Sequence, residues 1–253
     1  MRLIKLTHGQ GNGINKACLM TASNMLIGKG QDGDKNSCVC PVIRKFIILT
    51  NDKMPESLLG EIYGPLIWEI LGTKTDDIEV MRQRAYLFAD TAVREFTPFA
   101  LEKAGFNEHA TKLRNLSEII DKNTAKLAKT AARAAAADAA AVDYAADAAY
   151  VAVADAARAV DYAAVDYAAD AAYVAVDAAY VAVDAAYVAA ARAAAYAAAA
   201  AAYAANANAA NAYADARWIW ERCAELILAA CKIGDKRPVE PCLTENQLCE
   251  MLG

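Results

Sequence analysis

The sequence predicts an all-α protein. The expected form is a multi-helix antiparallel bundle of closely packed alanine-rich helices, preceded by a short, irregular, Gly-rich N-terminal segment. Three observations carry this. Between Ala125 and Cys231 the chain has no glycine and no proline, and alanine is its commonest residue. Alanine has the highest helix propensity, and the two usual breakers are missing. Part of the tract is a near-perfect heptad, Asp170-Ala-Ala-Tyr173-Val-Ala-Val176, repeated from Asp177 and again from Asp184. Ahead of the tract, larger apolar residues recur mostly at spacings of three and four, the period of a helix face. Four segments follow from composition: 1–37, irregular; 38–121, a helical front-end domain; 122–233, repeat helices packing on it; and 234–253, a C-terminal extension.

The first segment opens with Arg2-Leu-Ile-Lys-Leu-Thr7, a short strand or extended arm, and glycines at 9, 11, 13, 28, 30 and 33 impose turns. Gly28-Lys-Gly30-Gln-Asp-Gly33 matches the dinucleotide-binding pattern by letter only. That pattern needs a helix directly after it, and Asn36-Ser37 and Cys-Val-Cys-Pro41 follow instead. Asp32, Asp34 and Asn36 imitate the start of a calcium loop, but Ile43 stands where the twelfth-position glutamate belongs.

Pro41 suits a first helical turn, and Val42, Ile43, Phe46 and Ile47 form an apolar face; Thr50-Asn51-Asp52 reads as a break. A second helix runs from Pro55 to Leu71, kinked or split at Gly64-Pro65 and ended by Gly72. The clearest amphipathic helix spans Asp77 to Phe96, on Ile78, Met81, Ala85, Phe88, Ala89, Ala92, Val93 and Phe96. Asp76 with Glu79 has the form of a capping box, and Asp90 with Arg94 that of a surface ion pair one turn apart. Short helices from Pro98 to Ala104 and from Glu108 to Leu116 lead into the tract. After it, Trp218, Trp220, Cys223, Ala224, Leu226, Ile227 and Ala230 predict a helix stopped by Gly234. Pro238 and Pro241 keep the next stretch extended, and Thr244 with Gln247 caps a last helix to Leu252.

Within the heptads, Tyr173, Val176, Tyr180, Val183 and Tyr187 step by three and four, the a/d spacing of a packing seam. Asp170, Asp177 and Asp184 flank that seam, and the far side is alanine. Small side chains let a second backbone approach closely, so dispersion replaces lost side-chain area. One unbroken helix from Ala125 to Lys232 would be about 160 Å long at roughly 1.5 Å per residue. Breaks are therefore expected near 154–160 and 206–211, with the pieces folding back. The alternative is a long rod completed by a partner chain.

Composition narrows the functions. Net charge is −5, and Ala131 to Arg217 holds ten Asp and four Arg, which is −6 and leaves the rest near +1. A mildly acidic tract argues against nucleic acid, whose phosphates need clustered Lys and Arg. Lys122, Lys126, Lys129 and Arg133 do fall on one helical face, most simply a solvated one. The seven cysteines are odd in number and irregularly spaced, which fits reduced thiols in a cytoplasm. His8 and His109 are the only histidines, so neither a metal site nor a catalytic triad is expected, and no cofactor is implied. Ala193 to Tyr213 is uncharged and long enough to cross a bilayer, but it lacks Leu, Ile and Phe and carries three asparagines. No membrane span is expected.

Cys38-Val-Cys-Pro-Val-Ile43, Asn51-Asp52, Met54-Pro55, Gly72-Thr73, Arg82-Gln-Arg84-Ala-Tyr-Leu-Phe-Ala-Asp90, Ala92-Val-Arg94 and Leu113-Arg-Asn-Leu-Ser-Glu-Ile119 occur in this order. In this front end, and in its Ala/Tyr/Asp-rich tail, the chain resembles a set of uncharacterised bacterial and phage proteins. The resemblance implies a helical fold and a microbial or viral source, and carries no catalytic motif. The leading expectation is a non-enzymatic helical interaction protein that binds itself or another protein through its Ala/Tyr faces. In a phage, that role would be to block or sequester a factor in the host cytoplasm. The alternative is a binder or enzyme for a nucleotide-like or phosphorylated small molecule, held between helices by Asn51, Asp52, Arg84, Asp90 and Arg94. A third reading makes the tract a repeat-expanded spacer.

Overall fold

A computed structural model describes residues 4–9, 17–30, 36, 38–103, 106–139 and 212–252. Every regular element among them is helical, apart from one isolated parallel bridge between Leu6 and Ala17. The helices are α1 (Leu19–Leu26), α2 (Pro41–Asn51), α3 (Glu56–Tyr63), α4 (Leu66–Glu69), α5 (Ile78–Thr91), α6 (Thr97–Lys103), α7 (Asn107–Arg114), α8 (Lys122–Ala139), α9 (Ala212–Cys231) and α10 (Glu245–Leu252). Several expectations fall outside the described residues: the Asp170–Tyr187 seam, the breaks near 154–160 and 206–211, residues 31–33 of the Gly28–Gly33 motif, and Asp32 and Asp34 of the calcium-like one. The chain divides into two compact units, which cross the four compositional segments. One joins the residues up to Val80 with those from Glu221 on; the other runs from Met81 to Trp220.

The first unit departs from expectation at its start. Inside the segment read as irregular lies α1, all eight of whose residues are buried. Its sequence, Leu-Met-Thr-Ala-Ser-Asn-Met-Leu, has neither glycine nor proline, so nothing local opposes a helix. Cys18 caps it, its Sγ accepting from the Thr21 N–H at 3.4 Å. Helix α1 packs against α2, α4 and α10. The α2 face buries Val42, Ile43, Phe46 and Ile47, as their spacing requires. Gly64-Pro65 separates α3 from α4, and Gly72, at φ +74°, ends the run. Gly60 has a different reason: a Cβ there would run into the Ile4 carbonyl oxygen, so the N-terminal arm lies directly on the α3 backbone. Tyr63 is fully buried and donates to Thr50 Oγ1 at 2.5 Å; burial, with Cys223 nearby, pushes its phenol pKa well up.

The C-terminal extension closes this unit. Lys236 Nζ donates to the Glu69 carbonyl at 2.6 Å, the Arg237 N–H to the Gly72 carbonyl at 2.8 Å, and the Arg237 guanidinium to Asp76 at 2.6 Å. Asp76 is therefore not the cap of α5. Asp77 takes that place, its Oδ1 accepting from the Glu79 N–H at 2.8 Å. At the other end, Thr244 and Gln247 form the expected reciprocal box, with Thr244 N–H to Gln247 Oε1 at 2.8 Å and Gln247 N–H to Thr244 Oγ1 at 3.3 Å.

Helix α5 begins in the first unit, where Ile78 stays half-exposed, and in the second it buries Met81, Ala85, Phe88 and Ala89. The sequence predicts two helices around Pro98. The structure instead carries the chain from α5 into α6 through a wide π-turn, Ala92–Phe96, in which the Thr97 N–H bonds to the Ala92 carbonyl. Proline lacks an N–H and its ring crowds the carbonyl four residues back, here Arg94. A π-turn loosens that carbonyl without breaking the rod. Helix α6 packs on α7, and α7 on α8. Asp121 caps α8 by accepting from the Asn123 and Thr124 N–H groups at 2.9 and 2.8 Å. The described part of the alanine tract buries Ala125, Ala128, Ala132 and Ala135, spaced three, four and three, at no more than 2% exposure. This is the small-residue contact stripe that the composition implies.

Candidate functional site

The second unit carries an open groove of about 350 Å³, lined by Arg94, Glu95, Arg114 and Trp218. The π-turn sets Arg94 and Glu95 at its edge. π-turns interrupt helices often at functional positions, because the widened turn changes which side chains share a face.

Arg94 is held in place. Its Nε and Nη2 donate to the two oxygens of Asp90 at 2.6 and 2.8 Å, and its Nη1 to the Leu116 carbonyl at 3.3 Å. Asp90, only 7% exposed, also accepts from the Ile119 N–H at 2.8 Å. The pair is therefore a clamp that ties α5 to the segment after α7, rather than the surface ion pair expected from spacing. Hydrogen bonding to Asp90 raises the guanidinium pKa further, against the cost of partial burial. Arg114 forms a second bidentate pair, with Glu102, its Nη2 lying 2.7 Å from Oε2. Trp218 stacks at a tilt on Phe99, ring centroids 5.2 Å apart, and keeps 41% of its surface exposed.

The charge balance restricts what this groove can take. Two guanidinium groups face three carboxylates, Asp90, Glu95 and Glu102, and Arg94 also feels Glu118. Each arginine already holds a bidentate carboxylate. A phosphate would have to displace one of them, so the groove is a poor polyanion site and a better surface for an apolar or neutral polar group.

The ligand candidates read from sequence fall in two separately described units. Asn51 and Asp52 belong to the first unit, and Arg84, Asp90 and Arg94 to the second. Asn51 is 1% exposed and uses both ends of its amide, donating to the Thr7 carbonyl at 3.1 Å and accepting from the Leu19 N–H at 3.3 Å. Asp52 accepts from the Gly9 N–H at 3.2 Å. Both line a cavity of about 110 Å³ with Cys18, Met20 and Ile47, small enough for only a few waters. Arg84 is fully buried. Asp90 and Arg94 pair directly, and of the five candidates Arg94 lines the groove.

Sequence reasoning missed Trp218, Arg114 and Glu95. The first left a signal. Trp218 and Trp220 are two positions apart, about 200° around a helix, so they cannot share a core face. Trp220, at 2% exposure, takes the core and Trp218 the groove. Arg114–Glu102 spans two helices and leaves no local trace.

No disulfide joins any of the seven cysteines. Among the described residues, no three His, Cys, Asp or Glu side chains converge as metal ligands, and no helix is long and apolar enough to cross a membrane. No family model, no curated protein and no solved structure matches the chain.

Proposed function

We propose that this chain is a non-enzymatic helical interaction protein that docks a protein partner on the Trp218 groove. The observation that carries this is an exposed indole, backed by Phe99 and rimmed by two arginines already locked by carboxylates. Tryptophan and arginine dominate the energetic centres of protein interfaces, and pre-ordered side chains lose little entropy on binding. The partner chemistry that fits is an apolar side chain against Trp218, with carbonyl oxygens to take the remaining guanidinium N–H groups. In a phage setting that partner is a host protein. The alanine tract serves as scaffold: its pieces fold back as an antiparallel bundle, as the buried stripe of α8 suggests. The charge balance of the groove disfavours the nucleotide-like ligand.

Site-specific photo-crosslinking tests the reading. A photoreactive residue at Glu95 should give one dominant protein adduct in the native host, lost when Trp218→Ala is added and unaffected by Lys45→Ala, a change in the other unit. The reading fails if adducts are absent or indifferent to Trp218, or if nucleotides raise the melting temperature and Trp218→Ala abolishes that rise.

A further inference from the structure

The Trp218 groove is rich in hydrogen-bond donors and poor in free acceptors. A guanidinium carries five N–H groups. Arg94 commits three of them, two to Asp90 and one to the Leu116 carbonyl, and Arg114 commits two to Glu102. The others find no acceptor among the described residues, and neither does the indole N–H of Trp218, a residue 41% exposed with its ring stacked on Phe99. On the acceptor side, both oxygens of Asp90 and both of Glu102 already hold an arginine. Glu95 beside them has an interaction of its own. A matching partner therefore brings an apolar face and several acceptors, carries no net charge, and has few donors of its own to satisfy.

Backbone conformation decides which kind of segment does this. In an α-helix all carbonyls but the last four are already bonded within the helix. A strand presents N–H groups as well as carbonyls along its edge, and adding one needs a sheet edge to receive it. Among the described residues there is no sheet, only the Leu6–Ala17 bridge of the other unit. A polyproline II segment has no internal hydrogen bonds, so its carbonyls stay free. Proline has no N–H to bury, and its ring is a compact apolar face for an indole. Its φ is fixed before binding, so little backbone entropy is lost on docking.

On the premise that the groove docks a protein, we infer that it takes a proline-rich segment of that partner in the polyproline II conformation. A proline ring lies on the exposed indole. Neighbouring carbonyls accept from the Trp218 N–H and from the uncommitted N–H groups of Arg94 and Arg114. The carboxylates of Asp90 and Glu102 keep both guanidiniums from drawing an acidic segment instead.

An end-capped oligoproline peptide tests this on the full wild-type chain, read by the three tryptophan indole signals in a ¹H–¹⁵N correlation spectrum. The Trp218 signal, identified as the one missing from Trp218→Phe, should move saturably as the peptide is added. Those of Trp68, in the first unit, and of Trp220, which is buried, should stay in place. A glycine–serine peptide of equal length should bind at least about tenfold more weakly, because its backbone has to be ordered on binding. An unmoved Trp218 signal, equal binding of the glycine–serine peptide, or tighter binding of a helical alanine–leucine peptide would each overturn the inference. The adduct formed at Glu95 separates this inference from the docking proposal. Sequenced by tandem mass spectrometry, it should carry proline beside the linked residue. An adduct on a proline-free segment, or on a second copy of this chain, overturns the proline-rich assignment and leaves a docking groove; the absence of any adduct removes both.

Discussion

Removing the Asp90 carboxylate in two steps separates the two jobs the structure gives it. Asp90→Asn keeps an oxygen for the Ile119 N–H but gives up the charge that binds Arg94 through two hydrogen bonds. The Arg94 side chain keeps 28% exposure, so water re-solvates part of its charge and screening discounts the loss to about 1–2 kcal/mol. Asp90→Ala also strands the N–H of Ile119, a residue only 1% exposed, and an unsatisfied buried donor costs about 1–3 kcal/mol more. The predicted order is therefore wild type, then Asn, then Ala, with a total loss of about 2–5 kcal/mol for Ala. Urea unfolding at neutral pH, followed by far-ultraviolet circular dichroism, reads this as a falling midpoint at constant slope. If Asn and Ala fall together, or if Ala stays within about 0.5 kcal/mol of wild type, the carboxylate is not a clamp and the groove loses its fixed edge.

Two further outcomes follow from the geometry. Gly60→Ala should destabilise by about 1–3 kcal/mol, because its Cβ would meet the Ile4 carbonyl oxygen and the clash outweighs the gain in helix propensity; a rise in the urea midpoint would refute the close approach. Hydrogen bonding depresses the Asp121 carboxyl through Thr124 and the Asp76 carboxyl through Arg237. A depressed folded value means the stabilisation is fully present above the ordinary carboxylate pKa of about 3.9 and is lost as pH falls through the lower folded values. The urea midpoint should therefore drop over that acid window, and Asp121→Asn, which can still cap, should flatten part of the drop; an unchanged profile would contradict the cap.

The helical class and several element ends were legible because they rest on local chemistry. Pro41, Gly64-Pro65, Gly72 and Gly234 act within a turn of themselves, and the Val42–Ile47 face follows from spacing alone. What escaped depends on contacts distant in sequence. Asp76 looks like a cap until Arg237 claims its carboxylate, 161 residues on. Asp90–Arg94 looks like a surface pair until Ile119, 29 residues on, turns it into a clamp. Helix α1 was obscured because glycines on either side made its whole segment look irregular. Of the groove, only Arg94 was named in advance. The sequence reads Trp218 only as part of a helix, although its offset from Trp220 sets the two on different faces, and Arg114 meets Glu102 only once α6 and α7 have packed. The ligand reading gathered Asn51 and Asp52 with Arg84, Asp90 and Arg94 by residue type, and the fold gives the two groups to different units.

The most direct test of the docking claim is sedimentation velocity on the purified full chain mixed with the purified protein captured at Glu95. A defined complex should form with the wild type and dissociate with Trp218→Ala, while each protein alone keeps its own sedimentation coefficient. A complex equally stable with Trp218→Ala, or no complex at all, would contradict the claim that this chain acts by presenting that indole to a partner.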